Sequence, residues 1–363
     1  MNAYDELMVA VAEAPSNIAL IKYMGKRDGL PVNSSLSYTL DHLRTAVTLK
    51  RFDGANDEWQ PLDCDSYSKD SFEKWTAPKL SEFSKQRFLN HFRILKSRLG
   101  LEGSFVVRSA NNFPADCGIA SSASSFAALT LAAFEMAKKI NPRLDLTRDQ
   151  IAQLSRKGSG SSIRSFYGPF ALWSVELLNR NSANKIETAD HCTCASWHSI
   201  FEPLHHQVII VDRKHKLVSS SEAHKRVETG RLFHGRAERA EERLKLVKDA
   251  LNGSGNWRMA YEIANAEFWD MHALFHTAHP PFRYLTAETL TILDEVDKFW
   301  ERNGDGPLVT LDAGPNVHLL YRSNQLEVAL NFSKCIEGVH QPVQIFASYN
   351  KTQELMPSRG GNC

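Results

Sequence analysis

Three cations lie within six residues at the end of a strand-like segment near the start of the chain. The segment, residues 14–29, reads APSNIALIKYMGKRDG, and its cations are Lys22, Lys26 and Arg27. A strand that serves only a hydrophobic core does not need three cations in so short a stretch. The first question that the sequence raises is therefore what these side chains face.

A serine-rich segment, NNFPADCGIASSASSFAAL at residues 111–129, carries the strongest signal for ligand binding. A strand ends there, a loop with proline and glycine follows, and a serine-rich turn opens an amphipathic helix. Because the first N–H groups of a helix lack intrahelical acceptors and the helix dipole adds positive potential, this helix start suits a phosphate. Simple capping of the helix by these serines is the alternative, and the Walker pattern GxxxxGK[ST] is absent. The hydroxyl groups belong to Ser121, Ser122, Ser124 and Ser125.

A second segment rich in glycine and serine, RKGSGSSIRSFYG at residues 156–168, also carries positive charge. Its small residues let the backbone approach a ligand closely, and Arg156, Lys157 and Arg164 supply the cations. Arginine presents a planar fork that suits the oxygens of a carboxylate or a phosphate. The segment indicates an anion-binding loop, with a flexible surface loop as the alternative.

One aspartate, Asp312, stands where a β-rich run meets a turn, in LDAGPNVHLLY at residues 311–321. The Ala-Gly-Pro-Asn that follows it has the composition of a turn. A carboxylate at a strand end can face a cleft and act as a general base. It can equally accept hydrogen bonds from the backbone N–H groups of the turn.

Other common chemistries lack their sequence patterns. The histidines form no HExxH or other metal-ligand spacing, and HCTC at residues 191–194 has no second ligand pair, so it predicts an ordinary loop or strand edge. Neither GxSxG nor GxGxxG occurs, which disfavours a serine hydrolase and a dinucleotide-binding protein. The cysteines have no disulfide-framework spacing and suit a reducing compartment; they are Cys64, Cys117, Cys192, Cys194, Cys335 and Cys363.

Composition bounds the class of protein. The 363 residues include 42% apolar and 23% charged residues, as in ordinary globular proteins, and the formal net charge is +1. This charge gives no electrostatic case for a nucleic acid or an anionic membrane as partner. No run of 18 apolar residues occurs, and the acidic first residues lack the basic region of a signal peptide, so we expect a cytoplasmic location.

The predicted elements that must position these residues mix strands and helices without strict alternation. This mixture favours an α+β fold, with a domain boundary near residues 190–206 that divides the chain into 1–195 and 196–363. Residues 53–90 are polar with irregular aromatics and predict a long surface excursion. The patterns predict strands at 103–112, 207–212, 307–312, 317–321 and 342–348, and helices at 124–139, after Thr147 as N-cap, through 233–251, at 257–274 and at 285–302.

Taken in order, the four segments APSNIALIKYMGKRDG, NNFPADCGIASSAS, RKGSGSSIRSFYG and LDAGPN resemble the diphosphomevalonate decarboxylases of the GHMP kinase superfamily. The matching segments span residues 14–321, and four ordered motifs are far more specific than any one of them. The resemblance implies an N-terminal domain of the ribosomal-protein-S5-like type and a ferredoxin-like C-terminal domain, with the active site in the cleft between them.

The resemblance also implies a reaction. Family members use ATP and Mg2+ to phosphorylate the tertiary 3-hydroxyl of mevalonate 5-diphosphate, and they release isopentenyl diphosphate, CO2, ADP and phosphate in the mevalonate pathway of isoprenoid (lipid) biosynthesis. A tertiary hydroxyl is a poor leaving group, and phosphorylation makes it a good one. Its departure builds positive charge at C3, which the carboxylate removes as it leaves as CO2. Homodimers are common in the family.

Residue roles follow from the resemblance, position by position. The implied catalytic residues are Asp312, Lys26 and Arg164, with Arg164 holding the substrate carboxylate. The implied contacts to the organic substrate are Tyr23, Lys22, Ser159, Gly160, Ser161 and Ser220. The implied ATP-binding residues are Ser109, Asn112, Pro114, Gly118, Ala120, Ser121 and Ser122, with Ser122 also near Mg2+.

The chain departs from the family pattern at three places. Met24 replaces the usual tryptophan before Gly-Lys, Gly168-Pro169 stands where Gly-Gly is frequent, and residues 219–224 read SSSEAH where Ser/Thr followed by Gly-Met is usual. Glu222 in that loop would repel substrate phosphates. A decarboxylase of mevalonate 5-phosphate therefore stays open as an alternative. A mevalonate kinase without decarboxylation and a non-catalytic ligand-binding homologue are further alternatives.

Overall fold

Two β-sheets, one in each half of the chain, organise the fold. The computed structural model describes residues 9–27, 29–63, 75–113, 121–177, 188–211, 218–339 and 344–349. The strands are β1 (Val9–Ile21), β2 (Lys26–Arg27), β3 (Leu30–Pro31), β4 (Ser35–Phe52), β5 (Glu58–Pro61), β6 (Ser104–Asn111), β7 (Phe170–Leu177), β8 (Thr188–Trp197), β9 (Leu204–Ile210), β10 (Leu308–Thr310), β11 (Val317–Arg322) and β12 (Gln344–Ala347). The α-helices are α1 (Glu82–Leu99), α2 (Ser121–Ile140), α3 (Arg148–Arg156), α4 (Ser220–Arg226), α5 (Arg236–Lys248), α6 (Trp257–Thr277), α7 (Ala287–Asn303) and α8 (Leu326–Val339). This mixture confirms the predicted α+β class.

The first sheet is built around the long strand β4. One end of β4 pairs with β6 and the other with β7, while β1 runs antiparallel along it. β5 and β8 form the two ends of the sheet, and β5 with β6 is a parallel pair. The alanine-rich α2 packs on this sheet beside α1, since its small side chains let the helix approach closely.

The second sheet has the strand order β10-β11-β9-β12, and all of its pairs are antiparallel. The hydrophobic core beneath this sheet extends into the first half of the chain. Ile18 and Leu20 of β1 belong to the same buried cluster as Val208 of β9 and Phe268 of α6. The end of β1 is thus held by hydrophobic packing against the second half of the chain, and this places the cations after β1 at the junction of the two halves.

Most predicted elements are present with shifted ends, but one prediction was wrong. Residues 53–90 are not only a surface excursion, because β5 and the first half of α1 lie there. The N-cap prediction is confirmed: Thr147 Oγ1 accepts from the N–H of Gln150 at 3.2 Å, and the Gln150 side chain accepts from the N–H of Thr147 at 2.8 Å. The motif HCTC lies on β8, an outer strand of the sheet, where Cys192 and Cys194 are buried. The predicted boundary at 195/196 falls two residues before the end of β8.

Three imidazoles connect the two sheets below the surface. His206 is fully buried and hydrogen-bonds His42 at 3.1 Å through Nδ1 and His318 at 3.0 Å through Nε2. Burial lowers the pKa of His42 to about 4 and that of His318 to about 3. The folded protein therefore keeps these rings neutral at a pH where an unfolded chain would protonate them.

We expect the free energy of unfolding to fall as the pH is lowered from 7.5 to 5.5. The unfolded chain takes up protons near the ordinary histidine pKa of about 6.5, the folded chain does not, and each such residue can cost up to about 1.4 kcal/mol per pH unit. Urea unfolding at several pH values measures the slope. His318→Gln should lessen it, whereas His198→Gln, at a side chain 72% exposed, should not. A stability that is flat or rises toward pH 5.5 would contradict the expectation.

Candidate active site

A cavity of about 1110 Å³ lies where the two halves of the chain meet. Its walls come from the end of β1, the starts of α1 and α2, the loop after α3, the start of α4 and the turn after β10. Of the residues predicted for the site, those that line the cavity are Lys22, Tyr23, Lys26, Ser109, Ser121, Ser122, Ser159, Gly160, Ser161, Arg164, Ser220 and Asp312. Positions nearly 300 residues apart in the chain thus share one space.

Asp312 meets Lys22, not Lys26, in a direct ion pair. Lys22 Nζ lies 2.7 Å from Asp312 Oδ1, and the side chains are 2% and 25% exposed. Burial lowers the pKa of Lys22. Burial alone would raise the pKa of Asp312, but Lys22, with smaller effects of His318 and Arg164, outweighs it, and the pKa of the carboxyl lies below its ordinary value. Asp312 is therefore an ionised carboxylate at neutral pH.

The backbone around Asp312 is fixed by its own turn and by α6. The N–H of Gly314 donates to the carbonyl oxygen of Asp312 at 2.7 Å, which closes a tight turn. His272 on α6 is buried and its Nε2 lies 3.2 Å from the same oxygen. Because these contacts use the main chain of Asp312, the carboxylate stays free to face Lys22 and the cavity.

The backbone of Lys22 is held by a charged network from the other half of the chain. Its N–H donates to Glu267 at 3.0 Å, and its carbonyl oxygen accepts from Arg236 at 2.7 Å and from Asn33 at 3.0 Å. Arg236 also forms ion pairs with Glu267 and with Asp270 on α6. This network joins α5 and α6 to the end of β1 and so aims the Lys22 ammonium at Asp312.

Arg164 reaches the cavity from the 3-10 helix Gly160–Phe166, and it is 4% exposed. Its Nη1 donates to Ser35 at 3.3 Å, its guanidinium stands over the Tyr23 ring at 5.9 Å, and its Nε finds no acceptor among the described residues. A buried arginine with unused donors suits an anionic ligand, since unpaired buried charge is costly.

Gly160 lets the loop after α3 lie against Tyr23. A Cβ at this position would lie 2.6 Å from the Tyr23 hydroxyl oxygen, closer than any side chain could pack. The neighbouring hydroxyls of Ser159 and Ser161 lie 3.2 Å apart, and Ser159 donates to Ser122 at 3.5 Å. The two serine-rich segments that the sequence separates are thus in contact at the cavity wall.

The nucleotide side of the predicted site is described in part. α2 begins at Ser121, three residues before the predicted start at residue 124. Asn112 was predicted to contact ATP, but it is not among the described residues that line the cavity, where Asn111 stands in its place. The Asn112 amide instead hydrogen-bonds the main chain of His42 and Arg44. The remaining predicted residues, Pro114, Gly118 and Ala120, lie outside the described residues.

The unusual loop at residues 219–224 forms the start of α4. Ser219 caps the helix by accepting from the N–H of Glu222 at 3.2 Å. Glu222 itself turns to Arg226, at 2.9 Å, and is not among the described lining residues of the cavity. The expected repulsion between Glu222 and substrate phosphates therefore has no basis in this geometry.

Sequence reasoning missed several residues of the site. Arg87 lines the cavity from α1, where its guanidinium donates to the carbonyl oxygen of Gly158 at 2.9 Å. His224, Arg236 and Glu267 were also missed. A charged residue inside an apolar helical pattern was the available signal for Glu267, whereas Arg236 stands in a charge-rich helix that gives no such signal.

The charge of the described lining is strongly positive. Asp312 is its single carboxylate, and its cations are Lys22, Lys26, Arg87, Arg156, Lys157 and Arg164. Burial and the neighbouring Arg87 and Arg156 lower the pKa of Lys26. Such a field suits a polyanionic ligand. No group of three or more His, Cys, Asp or Glu residues that could hold a metal occurs in the described part of the chain.

The fold and the site together define a class of protein. An α+β chain whose halves enclose a cationic, serine-lined cavity with one ion-paired carboxylate fits an enzyme that transfers phosphoryl groups between small molecules, since such transfer needs mainly positioning and charge neutralisation. None of the described helices is long and apolar enough to cross a membrane.

Comparison with known proteins points to a single family. Residues 14–184 match the family model of the diphosphomevalonate decarboxylase-like N-terminal domain, and residues 207–359 match that of the mevalonate 5-diphosphate decarboxylase C-terminal domain. The diphosphomevalonate decarboxylase of Candida albicans is 31% identical, over 88% of this chain and 86% of its own length. The chain belongs to the diphosphomevalonate decarboxylase family and has the predicted GHMP kinase fold.

Solved structures agree with this assignment. The crystal structure of a mevalonate diphosphate decarboxylase from Legionella pneumophila is 42% identical, with a TM-score of 0.80, and the match covers 93% of this chain and 100% of that chain. A structure of MDDEF in complex with MVAPP, AMPPCP and magnesium is 28% identical, with a TM-score of 0.75, and the match covers 94% of this chain and 97% of that chain.

Proposed function

We propose that this protein catalyses the ATP-dependent decarboxylation of mevalonate 5-diphosphate to isopentenyl diphosphate, with release of CO2, ADP and phosphate. The observation that carries the proposal is the Asp312 carboxylate, paired with Lys22 at 2.7 Å inside a cavity that otherwise carries cations. The wider family assignment and the ligands of the MDDEF complex support the choice of substrates.

The charged residues of the cavity serve the two steps of the reaction, phosphoryl transfer and decarboxylation. Asp312 accepts or orients the proton of the 3-hydroxyl, which lets this oxygen attack the γ-phosphate of ATP. Lys22 and Lys26 neutralise the charge of the transferring group, and Arg164 holds the carboxylate that leaves as CO2. The bond between the carboxylate carbon and C2 then breaks, and its electron pair forms the new C2=C3 double bond as the phosphorylated oxygen leaves C3 with the phosphate.

The remaining residues of the site contact the phosphate groups of the two substrates. Ser159, Gly160, Ser161 and Ser220 contact the diphosphate, with Tyr23 beside them, while Ser109 and the start of α2 contact ATP. Mg2+ takes few protein ligands and binds chiefly phosphate oxygens and water, so the hydroxyl of Ser122 fits its needs. When bound, Mg2+ neutralises charge on the ATP phosphates.

The experiment that tests the proposal is an assay of three organic substrates. Purified protein with Mg-ATP receives mevalonate, its 5-phosphate or its 5-diphosphate, and ADP and CO2 are measured. We expect CO2 with the 5-diphosphate. CO2 from the 5-phosphate alone would indicate the monophosphate decarboxylase, ADP without CO2 a kinase, and no product a ligand-binding protein.

Lys22→Met should move the acidic limb of the pH–rate profile to higher pH. Burial raises the pKa of Asp312 and Lys22 is the main group that lowers it, so loss of Lys22 should raise that pKa. The carboxylate must be ionised to act as a base, so activity should be lost at a higher pH as the solution is acidified. Measurement of kcat from pH 5 to 9 checks this. Lys26→Met should lower kcat at every pH and leave the limb in place, and an unmoved limb in Lys22→Met would exclude the pair from the mechanism.

Three further assignments rest on the resemblance and on composition. We propose domains of 1–195 and 196–363, supported by the change of sheet between β8 and β9. A homodimer and a cytoplasmic location are likewise proposed, and sedimentation of the purified chain tests the first of these.

A further inference from the structure

His224 on α4 is held in the cavity from two sides. Its ring stacks on Tyr23, with centroids 4.7 Å apart and the planes 27° from parallel. The backbone N–H of Gly25 donates to its Nδ1 at 3.1 Å. The residue lines the cavity and is 8% exposed. The ring therefore has one fixed position and one fixed orientation.

The contact with Gly25 also decides where the imidazole proton is. A backbone N–H can only donate, so Nδ1 accepts, and a neutral ring carries its proton on Nε2. Burial, with Lys26 and Arg164 nearby, lowers the pKa of His224 to about 3, which keeps the ring neutral at physiological pH. The Nε2–H has no acceptor among the described residues of the protein. His224 thus presents one unpaired donor at the wall of the cavity.

A ligand in the cavity can supply the acceptor for this donor. The neighbouring cations on the cavity wall offer donors only, and the one carboxylate of the described lining, Asp312, is paired with Lys22. An oxygen-rich anion bound in the cavity would accept a hydrogen bond from this N–H, and a charged acceptor makes such a bond stronger. Arg164 and Asp312 are already assigned to the carboxylate and the 3-hydroxyl of the organic substrate. Its diphosphate has several oxygens besides those that the assigned serines can contact, and it is the remaining group that can accept from Nε2.

We propose that His224 binds the organic substrate by donating a hydrogen bond from Nε2 to an oxygen of its diphosphate. This inference rests on the proposed function, whose assignments leave the diphosphate for this side of the cavity. His224 stands in the loop where the chain departs from the usual Gly-Met pattern. The departure thus supplies a neutral, directed donor to the phosphates.

Two substitutions separate this role from a structural one. In His224→Asn the side-chain oxygen can take the place of Nδ1 and keep the contact with Gly25, but no donor reaches the position of Nε2. In His224→Gln the amide N–H reaches the position of Nε2, but the acceptor for Gly25 is lost. A substrate contact predicts that Gln is the better replacement, and a role confined to holding Gly25 predicts that Asn is.

We expect His224→Asn to raise KM for mevalonate 5-diphosphate roughly tenfold to a hundredfold, the loss typical of a hydrogen bond to a charged group. KM for ATP should change little, and His224→Gln should recover most of the affinity. His276→Asn, at an exposed histidine on α6, is the matched control and should behave as the unchanged protein. If His224→Asn does not fold, His224→Met takes its place as the variant without a donor.

An unchanged KM in His224→Asn, or a better KM in Asn than in Gln, would overturn the inference. Both outcomes require that the unchanged protein releases CO2 from mevalonate 5-diphosphate. If it does not, the proposed function fails first. Titration of each full-length variant with mevalonate 5-diphosphate, without ATP, measures the same contact apart from turnover, and an equal Kd in all variants would likewise contradict it.

Discussion

Replacement of Asp312 by asparagine is expected to lower kcat by about 10²- to 10⁴-fold, the contribution usual for a general base. Asparagine keeps the size of the side chain and leaves an oxygen for Lys22, so the fold and the cavity should persist. It cannot accept the proton of the 3-hydroxyl. The rates of ADP release and CO2 release should therefore fall together, because decarboxylation follows phosphorylation of this oxygen.

The measurement is steady-state release of ADP and CO2, with nucleotide affinity measured separately. Affinity for ATP should stay nearly unchanged, since the nucleotide contacts lie elsewhere in the cavity. Asp305→Asn is the matched control: Asp305 also forms an ion pair with an arginine, Arg322, but it is 45% exposed and lies away from the cavity. Turnover in Asp312→Asn comparable with that of the control would remove Asp312 from the mechanism.

The second large effect is expected on stability, from Arg236→Met. Arg236 and Glu267 are both 0% exposed, and the arginine also binds the carbonyl oxygen of Lys22. Its loss leaves Glu267 buried with only Arg243 as a cationic partner among the described residues. Breaking a buried pair from one side typically costs about 3–5 kcal/mol, because a buried charge loses its compensation.

Urea unfolding at pH 7.5 measures this cost, and activity should fall as well because Lys22 loses one of its backbone contacts. Arg258→Met is the matched control, since its pair with Glu262 is 59% and 61% exposed and such pairs contribute about 1 kcal/mol or less. Arg236→Met combined with Glu267→Leu should regain part of the stability, because the uncompensated charge is then gone. A loss in Arg236→Met no larger than that of the control would show that the network contributes little.

The sequence predicted the local features with the clearest physical cause. The amphipathic pattern at residues 124–139 predicts α2, and Thr147 as N-cap predicts the start of α3, because both depend on neighbours within a few residues. Prediction from the sequence failed where the local pattern and the tertiary contacts differ. The polar segment at residues 53–90 looks like a surface loop, yet β5 in it is stabilised by pairing with β6, a partner more than forty residues later.

The order of the four motifs, the α+β class and the family were determined by the sequence itself, because each motif is a short run whose residue types are set by local chemistry. Only the tertiary structure decided three features of the site. Lys22 is the lysine that pairs with Asp312, Glu222 pairs with Arg226, and the Asn112 amide hydrogen-bonds the main chain of nearby residues. These outcomes depend on how α5, α6 and the turn after β10 pack on the end of β1. Contacts between residues 290 positions apart leave no periodic signal along the chain, since their geometry is set by the shared core of the two halves.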